Sequence, residues 1–225
     1  MTFSVRFGEK AFKTILDHDR IAVSDTFFVD ESGSIQLEQG ASDTSIVARM
    51  AVSFLPAAPG DSVSAAADGF VVSRELTLVP EDGGVPRRVT IDDRGTKLEY
   101  TVGDIVEEHI RVVNPEDRHF IAVTAPFAAG FEPLNPELAI SGPEATPSKP
   151  NSTDPSYMHY TDDAAGYYFE TLPKGTFDFY FRLRATFEGS FVHPAATADM
   201  MYRQWIRGNS AGARVIIHPK PEYDE

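Results

Sequence analysis

The chain has 225 residues, 42% of them hydrophobic, 24% charged and 11% aromatic, which fits one large or two small folded domains and excludes bulk disorder. Asp plus Glu number 34 against 20 Lys plus Arg, and the resulting net charge of -14 repels phosphate backbones and anionic lipid headgroups, so neither nucleic acid nor a membrane surface is an expected partner. With no cysteine there can be no disulfide, thiolate nucleophile, iron–sulfur cluster or cysteine-ligated zinc.

The first ten residues, MTFSVRFGEK, alternate like a strand where a signal peptide would carry an apolar stretch, and no apolar run reaches transmembrane length. The chain is therefore expected to be cytosolic or a piece of something longer. Strands are expected at 3–7, 20–29 and 34–38. A further one is expected at 46–54, where Ile46, Ala48, Met50, Val52 and Phe54 share one face and Arg49 and Ser53 the other. Residues 56–68, PAAPGDSVSAAAD, lose all periodicity, which marks a linker and two units, 1–58 and 67–225, joined through 59–66.

Beyond the linker, strands are expected at 70–79, 87–91, 105–113, 119–124, 166–171, 176–186 and 213–218, separated by glycine turns such as Gly95 and Gly175. In 105–113, Val106, Ile110 and Val112 oppose Glu107, His109 and Arg111. The longest alternation, TFDFYFRLRAT, puts Phe177, Phe179, Phe181, Leu183 and Ala185 on a buried face and Asp178, Tyr180, Arg182 and Arg184 on the other. Residues 141–156 carry four prolines and read as a long exposed loop. Only 195–205, AATADMMYRQW, has helix-forming composition. Many short strands without a sustained 3.6-residue period give an all-β, antiparallel sandwich architecture with at most one or two short helices.

Catalytic chemistry is not evident. The six histidines have no H-x-x-x-H or H-E-x-x-H spacing, and His109 and His119, ten apart, could pair on a metal only from neighbouring strands. The acidic doublets Asp30-Glu31, Asp92-Asp93 and Asp162-Asp163 lack calcium-loop spacing and read as solvated turn acids. Asn151-Ser152-Thr153 is a glycosylation match too short to weigh. Tyr157, Tyr160, Tyr167, Tyr168 and Trp205 could form a sugar-stacking shelf, although aromatic packing is the commoner reason for such residues. The residues alone indicate a non-catalytic protein that binds another protein, without metal or cofactor.

From residue 69 onward a resemblance adds to this. GFVVSRELTLV (69–79) resembles the opening strand of the last macroglobulin domain of bacterial α2-macroglobulins. VGDIVEEHIRVVNPEDRHFIAVTAPFAAGFEPLNPEL (102–138) is similar to that domain's paired strands and its G-F-E-P-x-N turn. Residues 160–217 look like its closing block, with D-D, L-x-x-G, R-A-x-x-x-G-x-F, M-Y and G-x-S in order. Departures are Ala125-Pro126-Phe127-Ala128 for D-P-L-P, Thr161 and Ala164 for the arginines beside Asp162-Asp163, and Ala195 for a proline.

The resemblance implies two immunoglobulin- or macroglobulin-like sandwich units. Residues 1–58 would be a partial segment following the thioester domain, and 67–225 the C-terminal macroglobulin domain. It also implies a non-enzymatic part of a broad-spectrum protease-trapping inhibitor, with the thioester domain and other macroglobulin domains of the parent as partners and proteases trapped through the parent. The parent would lie in the periplasm or cell envelope, lipid-anchored by a signal outside this chain. The C-x-E-Q thioester cannot lie here, because there is no cysteine. Met201 and Tyr202 match the family's M-Y and are the candidates for shielding the thioester. The competing expectation is a free-standing carbohydrate-binding or adhesin-like module.

Overall fold

The computed structural model describes residues 2–7, 9–15, 22, 24, 26, 28, 34–41, 47–51, 61, 63–80, 84–136 and 142–220. The chain divides into two compact units, Met1–Phe54 and Leu55–Glu225.

The first unit holds β1 (Thr2–Phe7), β2 (Lys10–Ile15) and β3 (Ile35–Gln39) in one antiparallel sheet ordered β2-β1-β3. Two expected strands are not seen among the described residues there. Of 46–54, residues 47–51 are irregular and exposed, with Val47 97% accessible and no ladder partner among the described residues, and Ile46 and 52–54 lie outside the described residues. Alternation alone does not make a strand without a neighbour to take up its backbone N–H and C=O groups. Of 20–29, Ala22, Ser24, Thr26 and Phe28 are exposed and outside any strand, and the rest lies outside the described residues.

The second unit contains β4 (Ala66–Asp68), β5 (Val71–Val79), β6 (Arg87–Ile91), β7 (Lys97–Thr101), β8 (Ile105–Asn114), β9 (Arg118–Pro126) and β10 (Phe131–Leu134). After a 3-10 turn at Pro143–Ala145 come β11 (Tyr157–Tyr160), β12 (Ala164–Leu172), β13 (Gly175–Ala185), β14 (Gly189–His193), β15 (Thr197–Met200), β16 (Arg203–Asn209) and β17 (Ala213–His218). A five-stranded sheet, β10-β13-β8-β5-β6, faces a six-stranded one, β11-β12-β9-β15-β16-β4. The contact between them is aromatic: Phe179 of β13 stacks on Tyr167 of β12 at 4.8 Å and lies 5.7 Å from Phe169. A third sheet, β14-β17-β7, includes a parallel pair, β7 with β17, in an otherwise antiparallel set of ladders.

β13 is built as its alternation requires. Phe177, Phe179, Phe181, Leu183 and Ala185 are buried, while the residues between them stay partly open. β8 is different: Val106, Ile110 and Val112 are buried as expected, but Glu108 shares their face and is fully buried.

One reading of the sequence needs correction. Residues 195–205 form no helix; they make β15, a two-residue turn at Met201-Tyr202 and the start of β16. Once the neighbouring β9 offers a ladder to β15, a composition with only a weak helix preference is overridden. Residues 142–156 are the largely exposed loop expected between strands, and it runs along β13. Asn151 Oδ1 accepts from the Tyr180 N–H at 2.9 Å, the Ser152 N–H donates to the Asp178 carbonyl at 2.9 Å, and Ala145 is buried.

Candidate functional site

Met201 and Tyr202 are the two residues of the turn between β15 and β16, where Met200 pairs with Arg203 and the register shifts between Asp199 and Met200. β15 also pairs with β9, Met200 opposite Ile121, and the Met201 N–H extends that ladder by donating to the Phe120 carbonyl at 2.8 Å. The turn is anchored from below by the mostly buried Arg118. Its guanidinium sits 5.1 Å over the Phe70 ring and reaches Asn114 Oδ1 at 3.1 Å and Met200 Sδ at 3.6 Å. Above this base the side chains are open, with Met201 40% and Tyr202 75% accessible. Phe120, 48% accessible, meets Tyr202 edge to face at 5.3 Å, and Trp205 on β16 is 72% accessible. The result is an apolar projection mounted on a rigid sheet.

A family model described as Bacterial Alpha-2-macroglobulin MG10 domain matches residues 69–204, more than half of the chain and including this turn. The chain belongs to that family. Among solved structures, Salmonella α2-macroglobulin reacted with methylamine is 20% identical, with a TM-score of 0.52 over 72% of this chain and 10% of that one. A tyrosine-to-glycine mutant of the Salmonella protein gives 0.55 at 16% identity over 97% of this chain and 13% of that one. Native Escherichia coli α2-macroglobulin gives 0.51 at 15% identity over 97% and 13%. A 23% identical stretch of 131 residues in Circularly permutated Ras protein 2 of Dictyostelium discoideum covers 58% of this chain and 3% of that protein. The chain thus spans about a tenth to an eighth of the α2-macroglobulins it resembles in fold.

Elsewhere in this macroglobulin domain the residues singled out from the sequence are dispersed. His109 lies on β8 and His119 on β9, in different sheets. His109 stacks on Tyr180 at 4.4 Å and its Nε2 lies 2.6 Å from Asp178 Oδ1, whereas His119 Nδ1 is 3.0 Å from Thr171 Oγ1. Asp92 Oδ1 accepts from the Arg94 N–H, Asp93 Oδ1 from the Ala65 N–H, and Asp163 Oδ1 from the hydroxyl of Thr161. Asp30 and Glu31 lie outside the described residues. Among the described residues no group of three or more His, Cys, Asp or Glu is placed to hold a metal ion. The five aromatics share no shelf: Tyr167 is buried, and β12, β9 and β15 lie between Tyr157 and Trp205.

Sequence reasoning missed a buried ionic cluster in the domain. Arg74 of β5 donates through Nε to Glu108 Oε1 at 2.5 Å, and its other nitrogens reach the Pro126 and Pro194 carbonyls. His193 Nδ1 accepts from the Ala128 N–H at 3.1 Å, so the neutral ring carries its proton on Nε2, 3.4 Å from Glu108 Oε2. All three side chains are fully buried. Burial, reinforced by the Arg74 charge and opposed by Glu108, lowers the His193 pKa to about 4. Burial likewise pulls Arg74 down against the Glu108 carboxylate. The sequence signals are Arg74 and Glu108 themselves, each a charge on the apolar face of its strand.

Proposed function

We propose that this chain is the C-terminal, non-catalytic part of a bacterial α2-macroglobulin that traps proteases, and that it packs against and shields the parent's thioester domain through Met201 and Tyr202. The observation that carries the reading is the exposed turn. A thioether and a phenol ring standing out from a sheet, on a stretch that matches the family, make a dry cover for a reactive carbonyl and can be withdrawn without unfolding anything. The solved relatives fit a thioester mechanism by their own descriptions, one reacted with methylamine and another, from Escherichia coli, activated by porcine elastase. In such a parent, cleavage by a protease would withdraw this cover and free the thioester to acylate the protease amines.

The partners are then the thioester domain and other macroglobulin domains of the parent, with proteases engaged through the parent, in the periplasm or cell envelope. The chain takes no substrate of its own. The test is Tyr202→Gly in the thioester-bearing protein, read as the rate of inactivation by methylamine. A rise of about tenfold with unchanged melting is expected, since removing the ring opens the carbonyl to amine and water. An unchanged rate removes the shielding role.

A further inference from the structure

Phe120 is the one non-glycine residue with positive φ, +56°, among the described residues. A bulky side chain in the left-handed region is disfavoured by its Cβ and persists only where the surroundings impose it. Burial does not explain it here, because the ring is about half exposed. Nor does pairing with β12: in the β9–β12 register Ile121 pairs with Phe169 and His119 with Thr171, and Phe120 between them is passed over. The opposite N–H, that of Glu170, turns to Ser156 Oγ at 3.1 Å instead. What Phe120 touches is the turn. Its carbonyl takes the Met201 N–H at 2.8 Å, and its ring stands at 79° to the Tyr202 ring with centroids 5.3 Å apart. One residue therefore holds the first turn position through its backbone and the second through its side chain.

We infer that Phe120 is a positioning residue that fixes the Tyr202 ring, and that the uncommon backbone conformation of Phe120 serves to aim that ring. This rests on the shielding reading above only for its functional consequence. An isolated tyrosine on a two-residue turn samples several rotamers; a second ring set edge-on against it narrows that set before any partner docks, which lowers the ordering cost of docking. The partner surface is accordingly one that meets an already formed, three-residue apolar face of Phe120, Met201 and Tyr202.

The test uses two readouts. In the 225-residue chain, Phe120→Gly suits the left-handed backbone and removes only the ring, so the melting temperature should stay within about 3 °C. The Tyr202 ring proton resonances should move toward random-coil values, and the Met201 amide should exchange on the order of tenfold faster. Phe120→Tyr should restore both. Unmoved Tyr202 resonances in Phe120→Gly overturn the inference. In the thioester-bearing protein, Phe120→Gly should raise the methylamine rate to a value between wild type and Tyr202→Gly, with Phe120→Tyr returning it to wild type. If Tyr202→Gly speeds inactivation and Phe120→Gly does not, the positioning role falls. If neither changes the rate while the Tyr202 resonances shift, the shielding reading falls and the positioning stands.

Discussion

Single residues in the second unit carry two different electrostatic designs. Asp178, on the outer face of β13, looks like a replaceable surface acid on alternation alone. It accepts from His109 Nε2 at 2.6 Å and Arg111 Nε at 2.8 Å, and partial burial, which opposes ionisation, is outweighed by these two donors, so its pKa is held below the usual carboxylate value. His193 is the opposite case. Its pKa is about 4 when folded and near 6.5 when unfolded, so between those values the unfolded chain binds more protons than the folded one. Stability from this group is complete above about pH 6.5 and is lost as pH falls toward 4, amounting to about 3 kcal/mol in all. Asp178 acts lower, where carboxylates protonate. Urea midpoints between pH 4 and 7 should show this slope. In His193→Asn, whose amide oxygen can still accept from the Ala128 N–H and cannot titrate, the slope should flatten; equal slopes in the two chains would remove His193 as the cause.

At the scale of elements, β13 gives the sharpest comparison. Phe179 is fully buried against Tyr167 and Phe169, so Phe179→Ala should cost about 3 to 5 kcal/mol. Asp178→Ala leaves His109 without its acceptor, and should cost about 1 kcal/mol rather than the near-zero value of a solvated position. Urea midpoints in the reverse order would shift the strand register by one residue.

The same strand shows what a sequence can tell. Period-two phenylalanines predict β13 because its face is set by its own residues. The Arg74 to Glu108 pair cannot be seen that way, since its partners lie 34 residues apart on two strands and each interrupts a local pattern without naming the other. The β15–β16 segment has helix-forming composition because TADMMYRQW has few β-branched residues, and its strand character comes from β9. The M-Y dipeptide itself was legible only through the family resemblance. Phe120 was hidden, because a φ of +56° leaves no mark in HFIAV.

For the whole molecule, the boundary before the macroglobulin domain is where physical packing and sequence likeness part. The family match begins at residue 69, and the composition of 59–66 reads as linker. The described residues of 61–68 nevertheless belong to the second unit and pack on its strands. Asp61 Oδ2 takes Arg214 Nε at 2.6 Å, the Gly212 N–H donates to the Val63 carbonyl at 2.9 Å, and Asn209 Nδ2 donates to the Ser64 carbonyl at 2.9 Å. β4 then closes the edge of the six-stranded sheet by pairing Ala66, Ala67 and Asp68 with Asn209, Gly208 and Arg207. Removing this stretch would leave β16 as a bare edge beside the Met201-Tyr202 turn. A chain of residues 61–225 should therefore melt cooperatively as a monomer. A chain of residues 69–225 should lose about 2 to 4 kcal/mol, the sum of a few net hydrogen bonds and an ion pair, and self-associate through β16. Thermal melts with sedimentation of the two truncations check this. Equal stability and a monomeric state for both would return 61–68 to the role of linker and put the domain's physical start at residue 69.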